Sequence, residues 1–290
     1  MNDREIVIQM AKEFRCKYTF YDRKGWRENF CGVGSIGGDF PLNKDHIGIH
    51  ALCENERVVK LEFYDSKKKP MPHIIPDTIG NLAKLTELYT CAHFTELPET
   101  IKNCKLLRVL DVGCSIRKLP DSICSLTKLE ELELCYSPIT ALPEAIGNLK
   151  KLNLLNLCGT SITKLPESIV YCVSMRKMYT YYMSLEKLPE NIGKLSNLNR
   201  LWVQQTKLRK LPESIGECSK LEELHTGGVE IPESLSKCRL LKELIIGEEI
   251  ELPEAIRAIP DIKIVNGWIV AVGNGTGKYE YIQRDKKTPE

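Results

Sequence analysis

Net charge is what this sequence most plainly lacks: 41 Lys and Arg stand against 39 Asp and Glu in 290 residues, a formal balance of +2. No long basic stretch breaks that balance, so the concentrated positive face of a nucleic-acid binder is not expected. Long apolar runs are missing too; no window approaches the ~18 consecutive apolar residues that a membrane span requires. The opening MNDREIVIQMAKEF has neither the charged lead nor the continuous apolar core of a secretory signal, and a cytoplasmic location is the expectation. The twelve cysteines include no CxxC pair and are scattered along the chain, unlike the dense framework of a small secreted domain or a tetrahedral metal set. Neither a metal nor a cofactor is expected. What is there, 42% hydrophobic and 28% charged residues, suits a globular chain with a sizeable core.

Proline supplies the organising period. Pro76, Pro98, Pro120, Pro143, Pro166, Pro189, Pro212, Pro232 and Pro253 each follow Leu or Ile, at spacings of 22, 22, 23, 23, 23, 23, 20 and 21 residues. Such regularity marks a solenoid, whose units bury their apolar faces only against neighbouring units. Within one unit Leu152, Leu155, Leu157, Ile162 and Leu165 spell LxxLxLxxxxIxxLP, and Leu129, Leu132, Leu134, Ile139 and Leu142 repeat it one unit earlier. Alternation across Leu132 and Leu134 predicts a short strand with one buried face. Stacking lays such strands parallel on a concave face. Each proline then starts a convex crossing, in which segments such as NIGKL and SICSL turn or form short helices.

These units resemble leucine-rich repeats, which implies an α/β solenoid with a parallel concave sheet and irregular or short-helical convex crossings. The wording LCGTSITKLPESI at 157–169, echoed by LCYSPITALPEAI at 134–146 and KLPENIGKLSNL at 187–198, is similar to plant-type intracellular leucine-rich repeat proteins. Both the Ras-group repeat proteins and the repeat regions of plant disease-resistance receptors are resembled, over roughly residues 58–260. The resemblance implies recognition of proteins, with a small GTPase or another signalling protein as the class of partner. Many such families carry an Asn ladder after the strand; here Ser137, Thr160, Met183 and Thr206 stand in those places, so hydroxyls are expected to replace amides in several units. GIHALCENERVVKLEF also resembles the lead-in to the first repeat of secreted plant proteins, Cys53 included. It motivates the alternative of a secreted recognition protein, which Cys31–Cys53 pairing would favour.

The repeat phase names the side chains that face outward from successive strands: Tyr89, Asp111, Glu133, Asn156, Tyr179, Trp202, His225 and Ile245. Nearby outward positions add Tyr136, Tyr181, Tyr182, Gln204 and Gln205. The candidates for protein binding are Tyr136, Tyr179, Tyr181, Tyr182, Trp202, Gln204 and His225, since large aromatics bury area while keeping polar tips. Their other possible role is packing over an irregular unit, where Thr180 takes a normally apolar position and Met183 breaks the hydroxyl pattern. Charge changes sign along the same face. Glu130, Glu131 and Glu133 lie toward the amino end, Arg176, Lys177 and Arg200 beside the aromatics, and Glu222, Glu223 and Glu243 beyond, an order suited to orienting a partner.

Cys104, Cys172, Cys218 and Cys238 occur where other units carry Leu82, Leu126, Leu149 and Leu195, so burial as small apolar thiols is expected. Cys91, Cys135 and Cys158 share one outward register with Cys114 nearby, and neighbouring units are expected to bring Cys135 and Cys158 within reach of oxidation or metal capture. GNGTGKY at 273–279 lacks the spacing and final hydroxyl of a phosphate loop and reads as a glycine turn. His225 stands near Glu222 and Glu223 without a nucleophile and reads as an exposed interface histidine.

By this reading the chain comprises an N-terminal cap (1–57), a repeat domain (58–261) with a basic insertion near 64–74, and a C-terminal cap and tail (262–290). The expected function is a non-enzymatic protein-binding adaptor or sensor in intracellular signalling. An enzyme would need chemistry in a terminal cap.

Overall fold

A computed structural model describes residues 1–15, 17–22, 48–64, 74–91, 94–113, 115–247, 250–259, 262–266, 270–273 and 279–282. The amino end opens with helix α1 (Asp3–Glu13), set by a capping box in which the Asn2 side chain accepts from the Glu5 amide at 2.9 Å and Glu5 accepts from the Asn2 amide at 2.8 Å. Ile6, Val7, Met10 and Ala11 line its buried face, so this short helix is amphipathic. Buried Asp3 ties this helix to the sheet: it pairs with Arg57 at 2.7 Å and accepts from the Val58 amide at 3.0 Å.

Twelve strands form one sheet in chain order: β1 (Lys17–Tyr21), β2 (Gly48–Glu54), β3 (Arg57–Tyr64), β4 (Glu87–Cys91), β5 (Val109–Asp111), β6 (Glu131–Glu133), β7 (Leu154–Asn156), β8 (Lys177–Tyr179), β9 (Arg200–Trp202), β10 (Glu223–Gly227), β11 (Glu243–Ile246) and β12 (Lys263–Asn266). From β3 to β12 every pairing is parallel. The departure is β2, which runs antiparallel to β3 through a two-residue turn where Asn55 and Glu56 both take left-handed backbone, φ 48° and 63°. RVVKLEF is thus one arm of a hairpin as well as the first repeat strand. At the carboxyl end β12 continues the sheet, while β13 (Val270–Gly273) and β14 (Tyr279–Ile282) pair with each other. Residues 65–73 of the basic insertion, residues 23–47 of the N-terminal cap and most of GNGTGKY lie outside the described residues.

Each unit turns on its proline. The carbonyls of Pro143, Pro166 and Pro189 accept the amides of Ile146, Ile169 and Ile192, all at 3.0 Å, and so begin one turn of 3₁₀-helix on the convex side. Hydroxyls stitch these turns together: Ser168 donates to the Glu144 carbonyl at 2.5 Å and Ser214 to the Glu190 carbonyl at 2.6 Å. Gly147 and Gly193 permit the approach, because a Cβ at either would run into the carbonyl oxygen of Ser168 or Ser214.

Inside, the repeat leucines and isoleucines, Leu129, Leu132, Leu134 and Ile139 among them, form one continuous buried cluster with α1. Burying one such side chain stabilises by ~2 kcal/mol, against ~1 kcal/mol for a typical hydrogen bond. The apolar stack therefore carries the stability, and the hydroxyl bonds fix how units meet. Cys104, Cys172, Cys218 and Cys238 take leucine places as expected, and each thiol points at the carbonyl of an isoleucine in the preceding unit, at 3.4, 3.4, 3.7 and 3.4 Å. Burial pushes the first three thiols up to about 12 and Cys238 up to about 11, which keeps them protonated and inert.

Candidate functional site

The outward row read from the repeat phase is continuous in space. Tyr89, Asp111, Glu133, Asn156, Tyr179, Trp202, His225 and Ile245 are direct neighbours on successive parallel strands. Beside them runs a second outward row, including Glu87, Glu131, Leu154, Lys177, Arg200 and Glu223.

The aromatic candidates do meet, and they bury one another. Trp202 lies flat on His225, with centroids 4.6 Å apart and planes 7° apart, and it tilts against Tyr179 at 4.7 Å and Tyr181 at 5.8 Å. Tyr179, Tyr181 and His225 are consequently only 5%, 7% and 3% exposed. That corrects the reading of His225 as an exposed histidine: the Trp202 ring covers it, and burial, aided by the charge of Arg200, lowers its pKa to about 4. Trp202 and Gln204 stay half-buried. Neither the Trp202 Nε1 nor the Gln204 Oε1 has a hydrogen-bond partner among the described residues.

Leu154 and Cys158 complete this cluster on the outer side of the sheet, separate from the main core. Sequence reasoning missed Leu154 as a site residue. The signal was available, since it is a leucine in the register where β6 and β8 carry Glu131 and Lys177. Cys135 and Cys158 do share an outward register on adjacent units. Cys158 is buried and in contact with Tyr136 and Tyr181, and burial raises its thiol pKa despite those hydroxyls.

Tyr136 and Tyr182 are the most exposed of the aromatic candidates, at 62% and 44%. Their backbone explains the exposure. In four consecutive units the residue closing the strand takes left-handed φ: Tyr136 at 56°, Gly159 at 67°, Tyr182 at 53° and Gln205 at 54°. Glycine suits this place best. At 159 it is required for a second reason, since a Cβ there would stand 2.5 Å from Cδ1 of the Tyr136 ring lying over it. Just beyond, Ser137, Thr160 and Thr206 donate to the carbonyls of Leu134, Leu157 and Val203 at 2.6, 2.8 and 2.8 Å. Hydroxyls thus close the turn where an Asn ladder is absent.

The charged groups split along the face. Arg200 pairs with Glu223 at 2.9 Å on the adjacent strand, and at the outer edge Arg108 holds Glu130 at 2.7 Å and Lys242 holds Glu222 at 2.7 Å. Asp111 and Glu133 have no such cation among the described residues. Burial pushes their carboxyls up to about 6 and about 7; a bond from the Gly113 amide opposes the shift at Asp111, and one from Asn156 opposes it at Glu133. Among the described residues no three His, Cys, Asp or Glu side chains gather as metal ligands, and no helix is long and apolar enough to cross a membrane.

No family model matches the chain, and no curated protein matches it. Solved structures do. A leucine-rich repeat protein of Leptospira interrogans is 28% identical with a TM-score of 0.61, over 66% of this chain and 51% of that one. The leucine-rich repeat domain of the type III effector XopL is 24% identical with a TM-score of 0.57, over 72% and 76% of the two chains. The plant peptide hormone receptor RGFR1, solved in complex with RGF2, is 23% identical with a TM-score of 0.50, over 76% of this chain and 39% of that one. The chain thus spans about half the length of the Leptospira protein. With the sheet register, these likenesses establish a leucine-rich repeat solenoid.

Proposed function

We propose that this chain is a non-enzymatic, cytoplasmic adaptor or sensor that holds a signalling protein on its concave face, chiefly over β6 to β9. The observation that carries this reading is the pair Tyr136 and Tyr182. Both are exposed aromatics on left-handed backbone, a conformation costing a non-glycine residue ~1 kcal/mol or more, and neither side chain is spent in the core. Behind them Trp202, Tyr179 and Tyr181 form a packed platform, the arrangement that lets a rim aromatic act as an interface anchor. The plant-type wording of the repeats supports an intracellular signalling partner, and its Ras-group likeness points to a small GTPase as the class to test first. RGFR1 with RGF2 illustrates a polypeptide ligand on this fold. The secreted alternative rests on the lead-in at Cys53, which is a free thiol.

The test is affinity capture from native extract with the intact chain and with Tyr136→Asn/Tyr182→Asn. Asparagine tolerates left-handed backbone, so the rings are removed without new strain. Loss of a specific captured protein at unchanged melting temperature is the expected result. Equal capture by both proteins sinks the assignment of this face.

A further inference from the structure

The acidic half of the concave face is built differently from its surroundings. Outward positions on β3 to β6 carry Glu62, Glu87, Asp111, Glu131 and Glu133. Lys60 is committed to two of them, lying 3.5 Å from Glu62 and 3.2 Å from Glu87 with its ammonium 4.3 Å from the Tyr89 ring centre. That leaves Asp111, Glu131 and Glu133, which form no ion pair among the described residues. Glu133 is a second and independent sign. Its side chain is buried, 6% exposed, between Asp111 and Asn156 in the row, and its Oε1 has no hydrogen-bond partner among the described residues. A buried carboxylate oxygen left unpaired is costly, and a cation brought over it in a low-dielectric site recovers that cost.

Resting on the concave-face reading above, we propose that these three carboxylates seat one basic side chain of the partner, an Arg or Lys in an extended segment that crosses the strands. The head lies on Asp111 and Glu131 with Glu133 beneath. A guanidinium fits best, since its planar fork can meet two carboxylates at once. The neighbouring apolar platform fixes the spacing. From β6 to Trp202 on β9 is three strand intervals, about 14 Å at ~4.8 Å each, which an extended chain covers in about four residues. The recognised element is therefore a basic residue with a bulky apolar residue about four positions away, the latter resting on Trp202. The shifted carboxyls agree: burial holds Asp111 and Glu133 above the ordinary carboxylate range, although the charge of Lys177 opposes this at Glu133.

Selection of phage-displayed random peptides of about twelve residues on the full 290-residue chain tests this, with binding of synthetic winners then followed by fluorescence anisotropy. Expected winners carry Arg or Lys three to five positions from an aromatic or large aliphatic residue, and their Kd rises at least roughly tenfold on Asp111→Asn/Glu133→Gln. That variant is isosteric and should melt no lower than the parent, so lost binding is not lost folding. Winners that fail on Tyr136→Asn/Tyr182→Asn yet bind Asp111→Asn/Glu133→Gln equally overturn the cation seat and leave the concave-face reading standing. Winners indifferent to both variants overturn both.

Discussion

One row of side chains crosses the concave sheet, and its two halves handle burial in opposite ways. From β4 to β6 it presents Tyr89, Asp111 and Glu133; from β8 to β10 it presents Tyr179, Trp202 and His225. Strand length and pairing are nearly the same, so the difference lies in side-chain chemistry alone. In the aromatic half the rings shield one another, and the cost falls on His225, kept neutral with its pKa lowered to about 4. In the acidic half Asp111 and Glu133 form no ion pair among the described residues, and burial pushes their carboxyls up. A repeat scaffold thus supplies buried places in both halves, and each side chain determines whether that burial stabilises or penalises. The aromatic half packs its rings on one another, whereas the acidic half buries Glu133 with one oxygen unpaired among the described residues.

The strongest way to break the contrast is Trp202→Ala, which removes the ring that covers His225 and packs on Tyr179 and Tyr181. A loss of about 3 kcal/mol in urea unfolding is expected, since large aromatic truncations cost ~3–5 kcal/mol when fully buried and Trp202 is half-buried. A loss within experimental error would show that the platform is not integral to the fold.

A smaller effect, of opposite sign, belongs to Glu133. Its folded pKa of about 7 lies above the ordinary 4.5, so the folded state holds the proton more tightly; the stabilisation is full below 4.5 and disappears as pH rises through 7. Glu133→Gln is neutral throughout and should exceed the parent by about 2 kcal/mol at pH 8, with the gain shrinking toward pH 4.5. Urea midpoints across that range measure it, and a variant weaker than the parent at pH 8 would contradict the unpaired carboxylate.

His225 should produce the mirror image. A lowered pKa means the unfolded chain takes the proton first, so its stabilisation is present above 6.5 and is lost as pH falls toward about 4. Between pH 7 and pH 5 the parent should lose about 1 kcal/mol that His225→Gln does not lose. Parallel pH profiles for the two proteins would remove the distinction between the halves.

Most of the architecture was legible in advance because a solenoid repeats one local rule. Nine Leu-Pro or Ile-Pro landmarks located the convex turns, and their phase named every member of the outward row. Four of the core cysteines, Cys104, Cys172, Cys218 and Cys238, were equally readable, since each replaces a leucine at a known place. The β2 arm was not: its pairing with β3 is antiparallel and falls outside the repeat period, so no phase argument reaches it. Nor was the difference in exposure between Tyr182 and its neighbour Tyr181, which depends on the left-handed backbone at Tyr182.

The sequence by itself determined the solenoid, its parallel sheet and which residues face outward, because strand alternation and a fixed period make those local properties. Only the tertiary structure decided which outward residues stay in water. That depends on what stands on the adjacent strand: Trp202 covers His225, Tyr136 leans over Gly159, and Glu133 sits between Asp111 and Asn156 with one oxygen unpaired. Neighbours about 23 positions apart in sequence come within one strand spacing of ~4.8 Å in space. At that range size and charge act between side chains, and no single repeat contains both partners.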